Sequence, residues 1–308
     1  MDKFTVVSLF SGVGGLDMGF ENKGFSVLWA NDSNMDSCET HRLWSNANVV
    51  HGNIDKVDYA TIPDSDVIVG GFPCQGFSLA GPRKIDDSRN VLYKHFVKLV
   101  KEKQPKAFVA ENVKGILTLD GGTIIEAIKQ DFTDKGYDVF VNLVNAADYG
   151  VPQDRNRVII MGFRKDLEIT DYTFPAPFTK KVTIGEALQD MPFPIEDDVN
   201  RGAFSSRYMS ANRRREWDRQ SYTIVAMAKQ LPLHPSSPKM TKTSPSTWEF
   251  GAGKTRRFSY QEAAALQTFP RDMEFIGNLT SKYKQIGNAV PVKLAEVVAS
   301  EVKRVLNE

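Results

Sequence analysis

Short apolar runs, each closed by glycine, asparagine or an acid and followed by a stretch of helical character, recur through the first half of the chain. Phe4-Thr5-Val6-Val7-Ser8-Leu9-Phe10 reads as a first strand, residues 11–15 as a glycine-rich turn, and Leu16-Asp17-Met18-Gly19-Phe20 as the start of a helix. Residues 25–30 predict a second strand, closed by Asn31-Asp32 before a helix whose core positions are Met35, Cys38 and Leu43. Residues 49–54 predict a short third strand and turn. Val67-Ile68-Val69 predicts a buried strand ended by Gly70-Gly71. Residues 91–103 carry a helical apolar period, 107–110 form the next strand, a helix follows from 122 toward 132, and 139–144 and 158–162 are further strands. This alternation predicts an α/β fold built on a doubly wound, mostly parallel sheet.

The pattern breaks at Thr173-Phe174-Pro175-Ala176-Pro177-Phe178, which reads as a linker. Beyond it lie a short helix near 184–188, then an irregular polar stretch with a Pro/Ser-rich loop running to Ser246. Ser259, with Glu262 three residues on, caps a helix that Phe269-Pro270 stops. Residues 285–290 read as a turn, and Pro291 opens a last helix with an apolar stripe of Val292, Ala295, Val298, Ala299, Val302 and Leu306.

Charge separates the two regions. The 308 residues carry a net charge of only +1, yet residues 201–260 hold 12 Lys/Arg against 3 acids. A block of +9 on a body of −8 points to a polyanion partner. The hydrophobic fraction of 41% is that of an ordinary globular protein, and no apolar run approaches a membrane span. Two distant cysteines, Cys38 and Cys74, make neither a disulfide framework nor a multi-cysteine zinc site, so no metal is expected and the reducing cytoplasm is the expected compartment.

The candidate chemistry gathers at strand ends. Cys74 follows Gly70-Gly71-Phe72-Pro73 and precedes Gln75-Gly76-Phe77-Ser78, a stiffened, glycine-rich loop where open α/β sheets place reactive groups. Cys38, within a helix, reads as structural. The loop at 11–15 suits a nucleotide-type ligand, but after Gly12 and Gly14 the dinucleotide fingerprint fails at Asp17. Asp32, some 20 residues on, suits ribose hydroxyls or caps the next helix. Glu111 ends a strand neighbouring that of Cys74. Gln153, Arg155 and Arg157, at period two, form an expected anion-binding row on one face. Residues 81–90 read as a lid loop.

Six ordered stretches, LFSGVGGLDMGF, GGFPCQGFS, FVAENVKG, QDRNR, RRFSYQEAAALQTFP and KQIGNAVPVKLAEVVA, together resemble the C5-cytosine DNA methyltransferases, the bacterial modification methylases, from Phe4 to about Val302. The resemblance implies that S-adenosylmethionine is bound by Phe10, Gly12, Gly14, Leu16, Asp32, Asn53, Ile54, Pro73, Asn288 and Ala289. Asn53 stands where the family usually has an acid. It implies Cys74 as nucleophile, Glu111 as the group holding the cytosine edge, and Arg155 and Arg157 as groups fixing the base. Gln75, Ser78, Gln153, Arg213, Arg214, Arg215 and Thr223 are the implied DNA contacts. It further implies a discontinuous catalytic domain, 1–178 plus 281–308, around a target-recognition domain at 179–280. The expected partners are double-stranded DNA and a cognate restriction endonuclease acting independently, and the expected state is a monomer.

Three other readings compete. A zinc nucleobase deaminase needs a second cysteine after Pro-Cys, which Gln75-Gly76-Phe77 lacks. A tRNA cytosine C5-methyltransferase of the same fold is the serious alternative. A catalytically silent DNA-binding regulator is disfavoured by the presence of Cys74, Glu111, Arg155 and Arg157 together.

Overall fold

The computed structural model describes residues 3–73, 91–169, 172–192 and 194–307. The chain divides into two compact units, one of Met1–Asn145, Asn156–Ala176 and Ala295–Glu308, the other of Ala146–Arg155 and Pro177–Leu294. This differs from the expected boundaries: residues 146–155, 177–178 and 281–294 group with the second unit. The side chains of Gln153 and Arg155, described below, are the physical reason.

The first unit is a seven-stranded sheet flanked by helices. Its strands are β1 (Thr5–Leu9), β2 (Ser26–Asp32), β3 (Asn48–His51), β4 (Val67–Gly70), β5 (Ala107–Val113), β6 (Tyr137–Asn145) and β7 (Asn156–Arg164), in the order β3-β2-β1-β4-β5-β7-β6. The first five pair in parallel, while β7 runs antiparallel to both β5 and β6. The sheet is therefore the mostly parallel, doubly wound kind that the alternation predicted. β4 is buried throughout, as a central strand covered on both faces must be. The core is aromatic: Phe108 stacks on Phe132 at 4.0 Å, and Phe96 meets both edge-on. Gly162, opposite Phe108 in β7, leaves room for that ring, since a methyl there would approach its Cδ1 to 2.6 Å.

The helices of this unit are α1 (Gly15–Asn22), α2 (Met35–Trp44), α3 (Val91–Lys103) and α4 (Thr123–Thr133), with most of α8 (Val292–Asn307). Gly19 of α1 lets Ala295 of α8 pack against its backbone. The expectation for α2 is corrected. Met35 and Leu43 are about half exposed, at 49% and 55%. Asn34 caps the helix through Ser37 N and so fixes its rotation. The buried stripe is Ser37, Cys38, Thr40 and His41, largely polar.

The second unit has little regular structure: α5 (Ile184–Leu188), α6 (Tyr260–Leu266), α7 (Leu279–Asn288) and a hairpin of β8 (Met240–Ser244) with β9 (Thr247–Phe250). Thr183 with Glu186 and Ser259 with Glu262 form capping boxes. Residues 285–288, expected in a turn, instead end α7, which Asn278 caps through Ser281 N. The expected Pro/Ser-rich loop ends in the hairpin. There Met240 clusters with Tyr208 and Leu233, and Phe204, Trp248 and Phe250 pack on them. Among the described residues no helix is long and apolar enough to cross a membrane.

Candidate active site

β1 and β4 lie side by side at the centre of the sheet, and the strand order reverses between them. Loops leaving the carboxyl ends of such a pair diverge and open a crevice, the usual ligand position in doubly wound sheets. The glycine loop leaves β1 there. Gly71-Phe72-Pro73 leaves β4 beside it, running toward Cys74. Cys74, Gln75, Ser78 and the expected lid at 81–90 lie outside the described residues.

Three residues of the glycine loop adopt left-handed backbone: Phe10 at φ 54°, Gly12 at φ 56° and Gly14 at φ 78°. Phe10 is a non-glycine in that region, a conformation that costs energy and needs support from its surroundings. Support comes from Ser11 N, which donates to Asn31 O at 2.9 Å, and from Gly12 N, which donates to Asp32 Oδ2 at 2.9 Å. Asp32 Oδ1 also accepts Asn34 N at 2.8 Å, so this carboxylate ties the loop to the start of α2. No described atom lies within 4 Å of where a side chain at Gly12 would begin. Glycine at 12 answers to this left-handed backbone rather than to packing, and the loop backbone with the half-buried Asp32 carboxylate presents polar groups that fit an adenosyl ligand. Leu16 is buried in α1. Asn53 is exposed, while Ile54 is fully buried in the main core. The turn bearing them is held by Asn31 Nδ2, which donates to Val50 O and Gly52 O at 2.9 Å. Asn288 and Ala289 end α7 in the second unit, Asn288 exposed. Cys38 donates to Asp32 O at 3.4 Å, and burial pushes its thiol up to about 11, which fits its structural reading.

Glu111 and Arg157 are brought together by strand register. Glu111 stands opposite Ile159 across the antiparallel β5–β7 pair. Arg157, two residues along on the same face, is its diagonal neighbour, within reach of a long side chain. The result is an ion pair, Arg157 Nε to Glu111 Oε1 at 2.6 Å, with each side chain only 12% exposed. A methyl built on Gly71 would lie 3.2 Å from Glu111 Oε2, so the carboxylate borders the loop that leads to Cys74. Asn112 points to the other face and donates from Nδ2 to Phe72 O at 3.0 Å, while its Oδ1 accepts Val113 N. Phe72 is anchored in the core against Tyr93 at 5.1 Å, and Pro73 after it is exposed. Asn112 and Phe72 thus fix the approach to Cys74. Neither was singled out from sequence, although Asn112 sits inside the FVAENVKG stretch.

The expected row of Gln153, Arg155 and Arg157 does not form. β7 begins at Asn156, so the period of two does not extend back to 153. Gln153 is buried in the second unit, where it donates to Leu266 O and Gln267 Oε1 and accepts Ile224 N. Arg155, 1% exposed, donates to the carbonyls of Ile224, Gly287 and Ala289 at 2.9 to 3.0 Å. Both side chains thus brace the second unit rather than sharing one face with Arg157. Gly287 belongs to the same junction, because any side chain there would press on the backbone of Val225 and Ala226.

The basic block is also largely engaged. Arg214 grips Glu216 at 2.7 and 3.0 Å and donates to Pro235 O and Ser237 O. Arg215 pairs with Asp154 at 2.5 Å and lies 4.1 Å over the Tyr222 ring. Arg213 donates to Tyr208 O and Arg207 O, and Thr223 to Asp154 O. Arg219, Lys229, Lys242 and Lys254 are exposed.

Comparison with known proteins agrees with this geometry. The profile of the C-5 cytosine-specific DNA methylase family matches residues 4–304. Type II methyltransferase M.BsuRI of Bacillus subtilis is 41% identical, over 98% of this chain and 79% of its own length. Type II methyltransferase M.MthTI of Methanothermobacter thermautotrophicus is 41% identical over 97% of both chains. A solved DNA modification methyltransferase encoded within an Escherichia coli prophage superposes with a TM-score of 0.77 at 26% identity, over 99% of this chain and 100% of that one. The chain belongs to the C-5 cytosine-specific DNA methylase family.

Proposed function

We propose that this chain methylates C5 of a target cytosine in duplex DNA, with S-adenosylmethionine as methyl donor and Cys74 as nucleophile. The observation that carries the reading is the Glu111–Arg157 pair beside Gly71, at the carboxyl ends of β4 and β5. Cytosine C5 is too weak a nucleophile to take a methyl group unaided. A Cys74 thiolate that adds to C6 makes C5 enamine-like, and only a few per cent of an ordinary thiol is ionised at pH 7. Glu111 holds ring N3 and the exocyclic amine and supplies a proton as charge builds there. Arg157 orients that carboxyl and favours the anionic sulfur. When bound, S-adenosylmethionine supplies an electrophilic methyl group on a sulfonium. Gly12 and Asp32 are the residues best suited to hold it, with Phe10 and the 53–54 turn beside the adenine. Loss of the C5 proton and departure of the Cys74 sulfur restore the aromatic ring and free the enzyme. The base must first leave the duplex, at a cost of a few kcal/mol. The second unit, with its exposed Arg219, Lys229, Lys242 and Lys254, is read as the DNA-recognition part.

Transfer of labelled methyl groups to duplex DNA and to tRNA tests the reading. Faster transfer to duplex DNA is expected, and transfer to tRNA alone would favour the RNA enzyme instead. Glu111→Gln is expected to lower kcat at least about 100-fold. Cys74→Ser is expected to abolish transfer while retaining DNA binding, and turnover near wild type would remove Cys74 as nucleophile.

A further inference from the structure

The polar stripe of α2 plays no part in the chemistry above, yet it meets the glycine loop from beneath. The Trp44 indole N–H donates to Val13 O at 3.0 Å. The same indole stacks on the His41 ring, with centroids 4.9 Å apart and planes 17° from parallel. A methyl on Gly14 would come 2.6 Å from His41 Nε2 and collide with the Trp44 ring. His41 Nε2 lies 3.4 Å from Asp17 Oδ2, and Asp17 Oδ1 accepts the Ser8 hydroxyl at 2.6 Å. Asp17 and His41 are both fully buried. A continuous line of contacts therefore runs from β1 through α1 and α2 to the loop.

The two glycines of the loop divide the work. Among the described residues nothing lies within 4 Å of a side chain begun at Gly12, whereas at Gly14 it would strike the His41 and Trp44 rings. Gly14 is thus accounted for by the rings below it as well as by its left-handed backbone, and Gly12 by its left-handed backbone alone. An imidazole and a carboxyl buried together are costly compared with hydrocarbon of the same size. Here that polar group supports the ring whose N–H fixes one loop carbonyl.

We propose that Trp44 and His41 are positioning residues for the S-adenosyl ligand: they hold Val13 and Gly14 so that the loop keeps its path, left-handed at Gly12 and Gly14. The proposal rests on the cofactor reading given under Proposed function. Neither residue touches the ligand in this account; both act through the loop.

The test is titration of S-adenosylhomocysteine into the full-length protein by calorimetry, for wild type and Trp44→Phe. Phenylalanine keeps an aromatic ring against His41 and removes the donor to Val13 along with part of the indole surface beneath Gly14. Affinity is expected to fall about five- to tenfold, the effect of one buried hydrogen bond. The KM for S-adenosylmethionine is expected to rise by the same factor, with kcat and DNA affinity unchanged and the ligand-free melting midpoint lowered by no more than a few degrees. His41→Gln, which keeps the Trp44 donor but removes the ring under it, is the second variant and is expected to shift affinity in the same direction. Wild-type affinity in both variants would overturn the proposal. So would a parallel fall in kcat and DNA affinity, which marks a general loss of structure. A wild-type protein without saturable S-adenosylhomocysteine binding would remove the cofactor reading, and this inference with it.

Discussion

The two units are held together by different means. In the first, the backbone satisfies itself through the seven-stranded ladder, and side chains are left to fill the core and furnish the site. In the second, short turns and a single hairpin leave many carbonyls without ladder partners, and side chains supply the donors. Arg155 serves Ile224, Gly287 and Ala289; Arg257 serves Asn200 and Gly202; Tyr283 serves Asp198 and Phe258. A buried carbonyl needs a donor from somewhere, and in irregular chain long side chains provide it. Basic charge in such a region is therefore not all directed at a polyanion.

The sharpest way to break this contrast is Arg155→Leu. It takes the Arg155 donor from the Ile224 and Gly287 carbonyls and one of two donors from Ala289 O, so a loss of about 3 kcal/mol is expected. The chain has 4 tryptophans, of which Trp217 and Trp248 lie in the second unit and Trp29 and Trp44 in the first. Fluorotryptophan NMR during urea unfolding should show the loss at Trp217 and Trp248. An unchanged midpoint at those two positions would contradict the bracing role.

The buried pair of the first unit gives a pH-dependent contrast. Burial raises the Asp17 carboxyl from 3.8 to about 7, so the folded protein keeps a proton that the unfolded chain releases, and stability falls as pH rises through that window. Burial lowers His41 from 6.5 to about 4, so the unfolded chain gains a proton that the folded protein refuses, and stability falls as pH drops through that window. In the intact protein the two trends oppose each other. Asp17→Asn should therefore lose stability on acidification from pH 6.5 toward 4. His41→Gln should lose stability as pH rises from 3.8 toward 7. Either slope approaches about 1.4 kcal/mol per pH unit, read from urea titrations across pH. Parallel profiles for wild type and both variants would count against these burial-shifted titrations.

Smaller effects follow. Asn112→Ala frees Phe72 O and should cost about 1 to 2 kcal/mol, with methyl transfer impaired more than DNA binding. Alanine at Arg219, Lys229, Lys242 or Lys254 should change stability by less than about 0.5 kcal/mol. Each of these residues that contacts a phosphate should lower the salt dependence of DNA binding by about one counterion. Unaltered salt slopes in all four variants would shift the DNA face elsewhere.

Which parts were legible in the sequence follows from the same physics. β4 and β5 announce themselves because a strand buried on both faces must be apolar, and α6 because its capping box is written in Ser259 and Glu262. The inner face of α2 was hidden, since a hydrophobic period cannot reveal a stripe of Ser37, Thr40 and His41. The bracing contacts of Gln153 and Arg155 were not legible, because an arginine that braces carbonyls and one that meets phosphate look alike in sequence. Glu111 and Arg157 were each singled out, but their pairing depends on the β5–β7 register, which only the fold supplies. Asn112 lay in plain view beside Glu111, yet a buried amide that holds one carbonyl has no pattern of its own.

Bisulfite sequencing of duplex DNA, after incubation with the full-length protein and S-adenosylmethionine, addresses the central claim most directly. The account predicts protected cytosines in one fixed sequence context, absent when Cys74→Ser or Glu111→Gln replaces the wild type. Fully converted DNA from an active, ligand-binding preparation, or protection that survives both substitutions, would contradict it.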